Sequence, residues 1–292
     1  MKEQFNKGLL LTSLGSFWWG FIGVLYFQYV SFIGHIELVV HRCLWTSLML
    51  ILTTTFLSKW DLFLQIISNK KKLFLLLISG FLIFTNWGVW IYAVASEKII
   101  DASFGYFIMP IISVLLGNIF FSEKLNKRRI FSIILVCLSI LILIFFNLKS
   151  LPWVGLIVAL SWAFYNLVRK KISVDTDVGL LIESLFILPF ALVTFYFIAK
   201  NGLNDFNLSN IGLSLFLILA GPMTVIPLFL YVRGVELIGL GPTGMIFYIT
   251  PTLQFILGYF YYNEEFSLIK FVSFVFIWIA VVIYLKDLYE TN

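Results

Sequence analysis

Apolar runs of roughly the length that crosses a bilayer as an α-helix, about 20 residues, recur along this chain between short polar breaks. They fall at residues 8–30, 36–57, 73–95, 102–121, 130–147, 152–168, 178–199, 211–232, 242–262 and 269–285. In hydrocarbon every backbone N–H and C=O must be satisfied within the protein, so only helices and closed barrels can span, and continuous runs of this length exclude barrel strands. Composition agrees, with 61% hydrophobic and 12% charged residues, against about 45–50% and 25% in soluble domains. The expected fold is an all-α membrane protein of ten transmembrane helices. The first run is too long for a signal-peptide core and ends in no small-residue cleavage site, so it is read as a retained helix.

The distribution of Lys and Arg orients these spans. Lys2, Lys7, Lys59, Lys70–Lys72, Lys124, Lys127–Arg129, Arg169–Lys171, Arg233 and Lys286 fall in one set of flanks, whereas only Lys98, Lys149 and Lys200 fall in the other. The positive-inside bias then places both termini in the cytoplasm. The net charge of +5 is accounted for by these flanks. No basic patch interleaved with exposed aromatics points to nucleic acid.

One span occurs twice. Moving residues 101–123 along by 141 positions puts Pro110 on Pro251, Gly117 on Gly258, Glu123 on Glu264, Ile108 on Ile249 and Leu116 on Leu257. A second register, offset by 146, puts Trp19-Gly20 on Tyr165-Asn166 and Glu37 on Glu183. The first copy of the repeated span runs into the basic loop at 124–129, the second into Asn263-Glu264-Glu265-Phe266. Five spans per half is an odd number, so the halves, residues 1–147 and 148–292, are expected to be inverted relative to one another. Doubled, proline-interrupted hydrophobic segments mark the substrate region of many secondary transporters. Pro110 and Pro251 each remove a backbone donor and free a carbonyl one turn earlier, so both helices are expected to bend there.

Ionisable side chains inside spans cost at least about 2.5–3.5 kcal/mol at mid-membrane and mark function or bracing. Here they are Glu37, His41 and Arg42 in the second span and Glu183 in the seventh. Glu37 and His41 are one helical turn apart and share a face, while Arg42 lies further round, placed to pair with a carboxylate on another helix. Either the cluster braces helices, or Glu37 and Glu183 couple transport to a proton or contact a cationic group. Trp19, Asn86, Trp90, Tyr106, Tyr165, Tyr248 and Gln254 are candidates to line a cavity and stack on a flat or cationic solute. Packing is the competing reading for each aromatic.

Enzyme signatures are absent: there is no nucleophile elbow, phosphate loop or ATPase motif. His35 and His41 make no metal site, and Cys43 and Cys137 show no redox or metal spacing. No cofactor or metal is expected.

Several motifs together resemble the RarD group of EamA-type transporters, within the drug/metabolite transporter superfamily. They are Glu37-x-x-x-His41-Arg42-x-x-Trp45, Asn86-Trp87, Ser103-x-Gly105-Tyr106-Phe107-Ile108-x-Pro110 and Tyr248-Ile249-x-Pro251-Thr252-Leu253-Gln254-Phe255. Leu151-Pro152-Trp153 and Phe276-Ile277-Trp278 also fit. The resemblance implies two inverted five-helix halves around a central cavity lined mainly by spans 1, 3, 4, 6, 8 and 9. It also implies export or exchange of amino acids, nucleotide-related metabolites or other small solutes. Relatives commonly have asparagine before the fourth-span proline, where this chain has Met109.

The expected function is secondary active transport of a small metabolite across the bacterial inner membrane by alternating access, with a proton or a second metabolite as possible coupled species. The alternatives are a passive channel or facilitator and, less well supported by an inverted repeat with buried carboxylates, a membrane scaffold or receptor.

Overall fold

The computed structural model describes residues 2–95, 99–147, 153–261 and 268–291. Lys98, Lys149, Pro152 and Glu264, which entered the reading above, lie outside them, as do the side chains of Asp101 and Ser103.

Helices fall on each of the expected spans. The first span comprises α1 (Lys2–Phe17), a π-helical turn (Trp18–Gly23) and α2 (Val24–Tyr29). It is followed by α3 (His35–Phe56), a short α4 (Trp60–Ser68), α5 (Lys70–Ala95), α6 (Ile99–Phe121), α7 (Lys127–Asn147), α8 (Trp153–Ile172) and α9 (Thr176–Lys200). Then come α10 (Ile211–Ile218), α11 (Ala220–Ile238), α12 (Leu240–Ile246), α13 (Ile249–Phe260) and α14 (Leu268–Thr291). Among the described residues, seven segments are long and apolar enough to cross a membrane, and Gly105–Phe121 is a shorter apolar helix. The protein is a multi-pass, all-helical membrane protein. Its surface carries large apolar side chains such as Phe56, Phe81, Phe145 and Phe190 at 61–83% exposure, which only a lipid environment makes favourable.

Three helix interruptions refine the expected spans. The π turn at Trp18–Gly23 is invisible to hydropathy, and its extra residue per turn is a feature often found at functional sites. Gly20 permits it to sit close to α13, since a Cβ there would lie 2.9 Å from the Thr250 backbone. The eighth span divides at Leu219, just ahead of Pro222.

The two proline-bearing copies differ. α6 runs through Pro110 unbroken, while the second copy divides into α12 and α13 at Phe247 and Tyr248. Pro251 cannot donate to the Phe247 carbonyl, which instead accepts from Thr250 N–H at 2.9 Å, tightening the chain at the break. Both prolines lack the backbone donor, and only in the second copy does the helix divide beside one.

Packing treats the halves as equivalents. α3 lies on α9 and α7 on α14, each pairing a helix with its counterpart in the other half. α1 packs on α11 as α8 packs on α5, and α6 packs on α8 as α13 packs on the π turn. Exchanging the halves reproduces the main contacts.

Candidate transport site

The repeated stretch supplies the centre of the molecule. Tyr106 and Phe247, which are equivalent under the 141-residue offset, meet with ring centroids 5.7 Å apart. The next equivalent pair, Phe107 and Tyr248, is joined by a 2.7 Å hydrogen bond from the Tyr248 hydroxyl to the Phe107 carbonyl. Contacts between equivalent positions arise where a pseudo-two-fold axis passes. The two copies thus touch directly.

Around this contact lies an aromatic cluster. Trp19, carried by the π turn, meets Trp162 edge-on at 5.3 Å, Tyr231 at 5.7 Å and Phe247 at 6.2 Å. Tyr165 stacks on Trp162 at 5.3 Å. The structure therefore brings together Trp19, Tyr106 and Tyr165 from the candidate set, joined through Trp162, Tyr231 and Phe247, which the sequence reading did not single out.

Other candidates lie elsewhere. Trp90 packs on Phe27 at 6.0 Å and against Val154. Tyr248 is buried in a second core with α7 and α14 residues, including Val136 and Phe274. Gln254 makes no hydrogen bond or ring contact to the cluster among the described residues. Asn86 ties α5 to α8, donating to the Val158 carbonyl at 2.9 Å and the Ser161 hydroxyl at 3.1 Å, which satisfies an amide that hydrocarbon could not. Met109 is fully buried and accepts a hydrogen bond at its sulfur from Ser113.

The two matched carboxylates have different surroundings. Glu183 is buried and receives hydrogen bonds from Ser79 at 2.5 Å and Tyr165 at 3.1 Å, with the Arg169 guanidinium 3.4 Å away. Arg169 is itself fully buried and also donates to the Thr176 carbonyl. Though Arg169 stands in the basic last turn of α8, its side chain turns back into the bundle toward Glu183. Beside Glu183 lies a cavity of about 10 Å³, lined also by Thr46, Ile83, Trp87 and Leu228, room for about one water.

Glu37, by contrast, holds a loop. Its Oε1 accepts from the backbone N–H groups of Asp205 at 2.7 Å and Phe206 at 3.2 Å, fixing the segment after α9. His41 Nε2 lies 3.4 Å from the same oxygen, and His41 Nδ1 accepts from Trp45 Nε1 at 3.1 Å, which places the ring proton on Nε2. The expected partner of Arg42 is missing: among the described residues no carboxylate lies within ion-pair distance of it. Its guanidinium rests over the rings of Trp87 at 4.7 Å and Phe27 at 5.0 Å, and its Nε donates to Thr224 at 3.2 Å.

One end of the bundle is laced by charge. Glu123, the last residue of the repeated stretch, accepts from the N–H groups of Leu240 at 2.9 Å and Gly241 at 2.8 Å and pairs with Lys170 at 2.7 Å. Gly239, at φ +94°, lets the α11–α12 turn lie against that carboxylate, in a backbone region costly for any residue with a Cβ. Lys59 bridges Asp175 at 3.1 Å and Asp177 at 2.8 Å. Burial works against the Lys59 charge, but the hydrogen bonds it donates to Asp177 and Asp175 outweigh it and hold its pKa above the ordinary value. Burial likewise opposes the Asp175 charge, yet its coupling to Asp177, with which it shares the Lys59 ammonium, and the hydrogen bonds from Lys59 leave its pKa below the usual range. Arg129 pairs with Asp287 at 2.8 Å, and Asn126 donates to the same carboxylate. All these ties join first-half elements to second-half elements. Among the described residues, no group of His, Cys, Asp and Glu side chains is arranged to hold a metal ion.

The EamA-like transporter family profile matches residues 6–145 and again 150–286. The chain is 34% identical over 290 residues to Protein RarD of Escherichia coli (strain K12), covering 99% of this chain and 97% of that protein. It is 33% identical over 287 residues to an uncharacterized transporter of Vibrio cholerae, covering 98% and 94%. A crystal structure matches with a TM-score of 0.71 at 12% identity, covering 95% of this chain and 96% of that one, a likeness of fold alone. With this coverage and the motifs above, the chain belongs to the RarD group of the EamA-like transporter family.

Proposed function

We propose that this protein is a secondary active transporter of a small metabolite in a bacterial inner membrane, working by alternating access between two inverted five-helix halves with both termini cytoplasmic. The observation that carries this reading is the contact of equivalent positions, Tyr106 on Phe247 and Phe107 on Tyr248, at the centre of a bundle whose helix pairings interchange with its halves. A pseudo-symmetric pair of halves has two related packings, one closed at each end, and transport follows when solute binds between them.

In this conformation the laced end is shut. Glu123, Lys59 and Arg129 each hold a first-half element to the second half. The positive-inside bias makes that end cytoplasmic. Glu183, with Arg169, Ser79 and Tyr165 around it and a water-sized cavity beside it, is the intramembrane carboxylate fitted to exchange a proton. Glu37 serves as a loop anchor.

Counterflow in proteoliposomes against a panel of amino acids, nucleosides and other small metabolites is the test. Saturable counterflow of at least one solute, with Glu183→Gln removing its pH dependence, is expected. Ionic conductance without counterflow would identify a channel, and pH dependence unchanged in Glu183→Gln would remove that residue from coupling.

A further inference from the structure

Arg42 is 8% exposed, deep enough to need an electrostatic partner. Other inward or partly buried cations in this protein have one: Arg169 has Glu183, Arg129 has Asp287, Lys170 has Glu123 and Lys59 has Asp177. Arg42 has none among the described residues. Glu37, five positions earlier on α3, is turned to the backbone of the loop at Asp205 and Phe206, and His41 is neutral in the tautomer its contacts require.

The contacts that Arg42 does make leave a specific part of it open. Its Nε is used by Thr224, and its Cζ lies over the rings of Trp87 and Phe27. Nη1 and Nη2 have no protein acceptor among the described residues, and they are not sealed by packed protein as Nε and Nη1 of Arg169 are. Trp87, over whose ring Arg42 rests, also lines the cavity beside Glu183. A guanidinium held at Nε and by contact with two rings, with its terminal nitrogens free, is preorganised for a planar two-oxygen acceptor.

We propose that Arg42 is a substrate-anchoring residue and that the solute carries a carboxylate, bound side-on by Nη1 and Nη2 between Trp87 and Phe27. A single carboxylate brings the buried charge to zero, whereas a phosphate dianion leaves an excess negative charge in low dielectric. This assignment deepens the transport reading and rests on it only for the word solute, since binding is measurable without transport. Of the flat or cationic solutes that the sequence allowed, it favours a flat anionic group, because the buried charge left without a counter-ion among the described residues is positive.

The test uses the full-length purified protein in detergent, with thermal unfolding and intrinsic tryptophan fluorescence as readouts. The probes are benzoate, lactate and L-alanine, the matched amides benzamide, lactamide and L-alaninamide, inorganic phosphate, and chloride. At least one carboxylate is expected to raise the unfolding temperature of the wild type while its amide does not. Arg42→Gln should weaken that carboxylate at least about tenfold and Arg42→Lys less, because lysine keeps the charge but not the fork. Ligand-free Arg42→Gln should be no less stable than the wild type, because it loses an unpaired buried charge.

Equal effects of acid and amide, stabilisation by chloride or phosphate alone, no effect of any carboxylate, or carboxylate binding retained in Arg42→Gln would each overturn the assignment. A destabilised Arg42→Gln with unaltered binding would show a packing brace instead. Carboxylate binding that depends on Arg42 without counterflow would leave the site standing and remove the transport reading. Counterflow of an uncharged solute that survives Arg42→Gln would do the reverse.

Discussion

Replacing Glu123 by glutamine should open the laced end. The carboxylate satisfies two backbone donors, Leu240 and Gly241 N–H, and neutralises Lys170, whose side chain is 18% exposed, as is that of Glu123. Glutamine keeps the volume and one acceptor oxygen, so one of the two N–H bonds and the ion pair are lost. A hydrogen bond to a charged group contributes about 1.5–3 kcal/mol, and a partly exposed ion pair adds roughly 0.5–1 kcal/mol after screening. The closed arrangement should therefore lose about 2–4 kcal/mol relative to any arrangement in which α6 and α12 part, a factor of roughly 30 to 1,000. Hydrogen exchange read by mass spectrometry on a peptide spanning 239–246 reports this directly, since opening sets the protection of those amides. Protection there should fall by that factor, with peptides from the α7–α14 pairing unchanged. Unchanged exchange at 239–246 would refute the clamp, and a uniform loss along the chain would indicate general destabilisation.

Three further outcomes follow from the same contacts. The folded pKa of Lys59 is raised, so its contribution is complete below its unfolded value of about 10.4 and lost as pH rises through the folded one. That of Asp175 is lowered, so its contribution is present above its unfolded value of about 3.9 and lost as pH falls through the folded one. Lys59→Met should thus lower the unfolding temperature between those limits, by an amount worth about 1 kcal/mol, with the difference from wild type shrinking outside them. Arg129→Ala leaves Asp287 buried without its cation and should cost about 3–5 kcal/mol, whereas Arg129→Met with Asp287→Leu should recover most of it in thermal unfolding. Gly20→Ala forces the π turn off the Thr250 backbone and should destabilise by about 1–3 kcal/mol, while Gly88→Ala, with open space at its Cβ position, should be near neutral.

What could be read from the sequence was what the bilayer imposes. Apolar runs predicted helices because hydrocarbon allows little else, and the repeat at Pro110 and Pro251 located the centre because equivalent positions meet at a two-fold axis. The partners of polar groups were not legible. Asn86 signalled a need for hydrogen bonds, but its acceptors lie on α8, far along the chain. Arg169 sits in an Arg-Lys-Lys run that reads as a solvated flank, and only the fold shows it turned toward Glu183. Asp177 and Asp287 were overlooked because charges at helix ends carry no evident penalty in a hydropathy reading. Glu123 was recognised as the close of the repeat, while its role as a clamp depends on Gly239, which bends the distant α11–α12 turn onto it. The signal available was the glutamate that closes each copy together with Gly239 ahead of the second, and it carries little weight without the fold.

Alternating access is tested most directly by distance measurements between spin labels across the two ends of the bundle. One pair, on Lys124 and Lys171, spans the laced end, and the other, on Phe32 and Leu203, spans the opposite end, with Cys43 and Cys137 first replaced by serine. Glu123→Gln is predicted to lengthen the first distance and shorten the second together. Distances that stay single and unchanged, or that move in the same sense at both ends, would contradict a transporter built from two halves that open in turn.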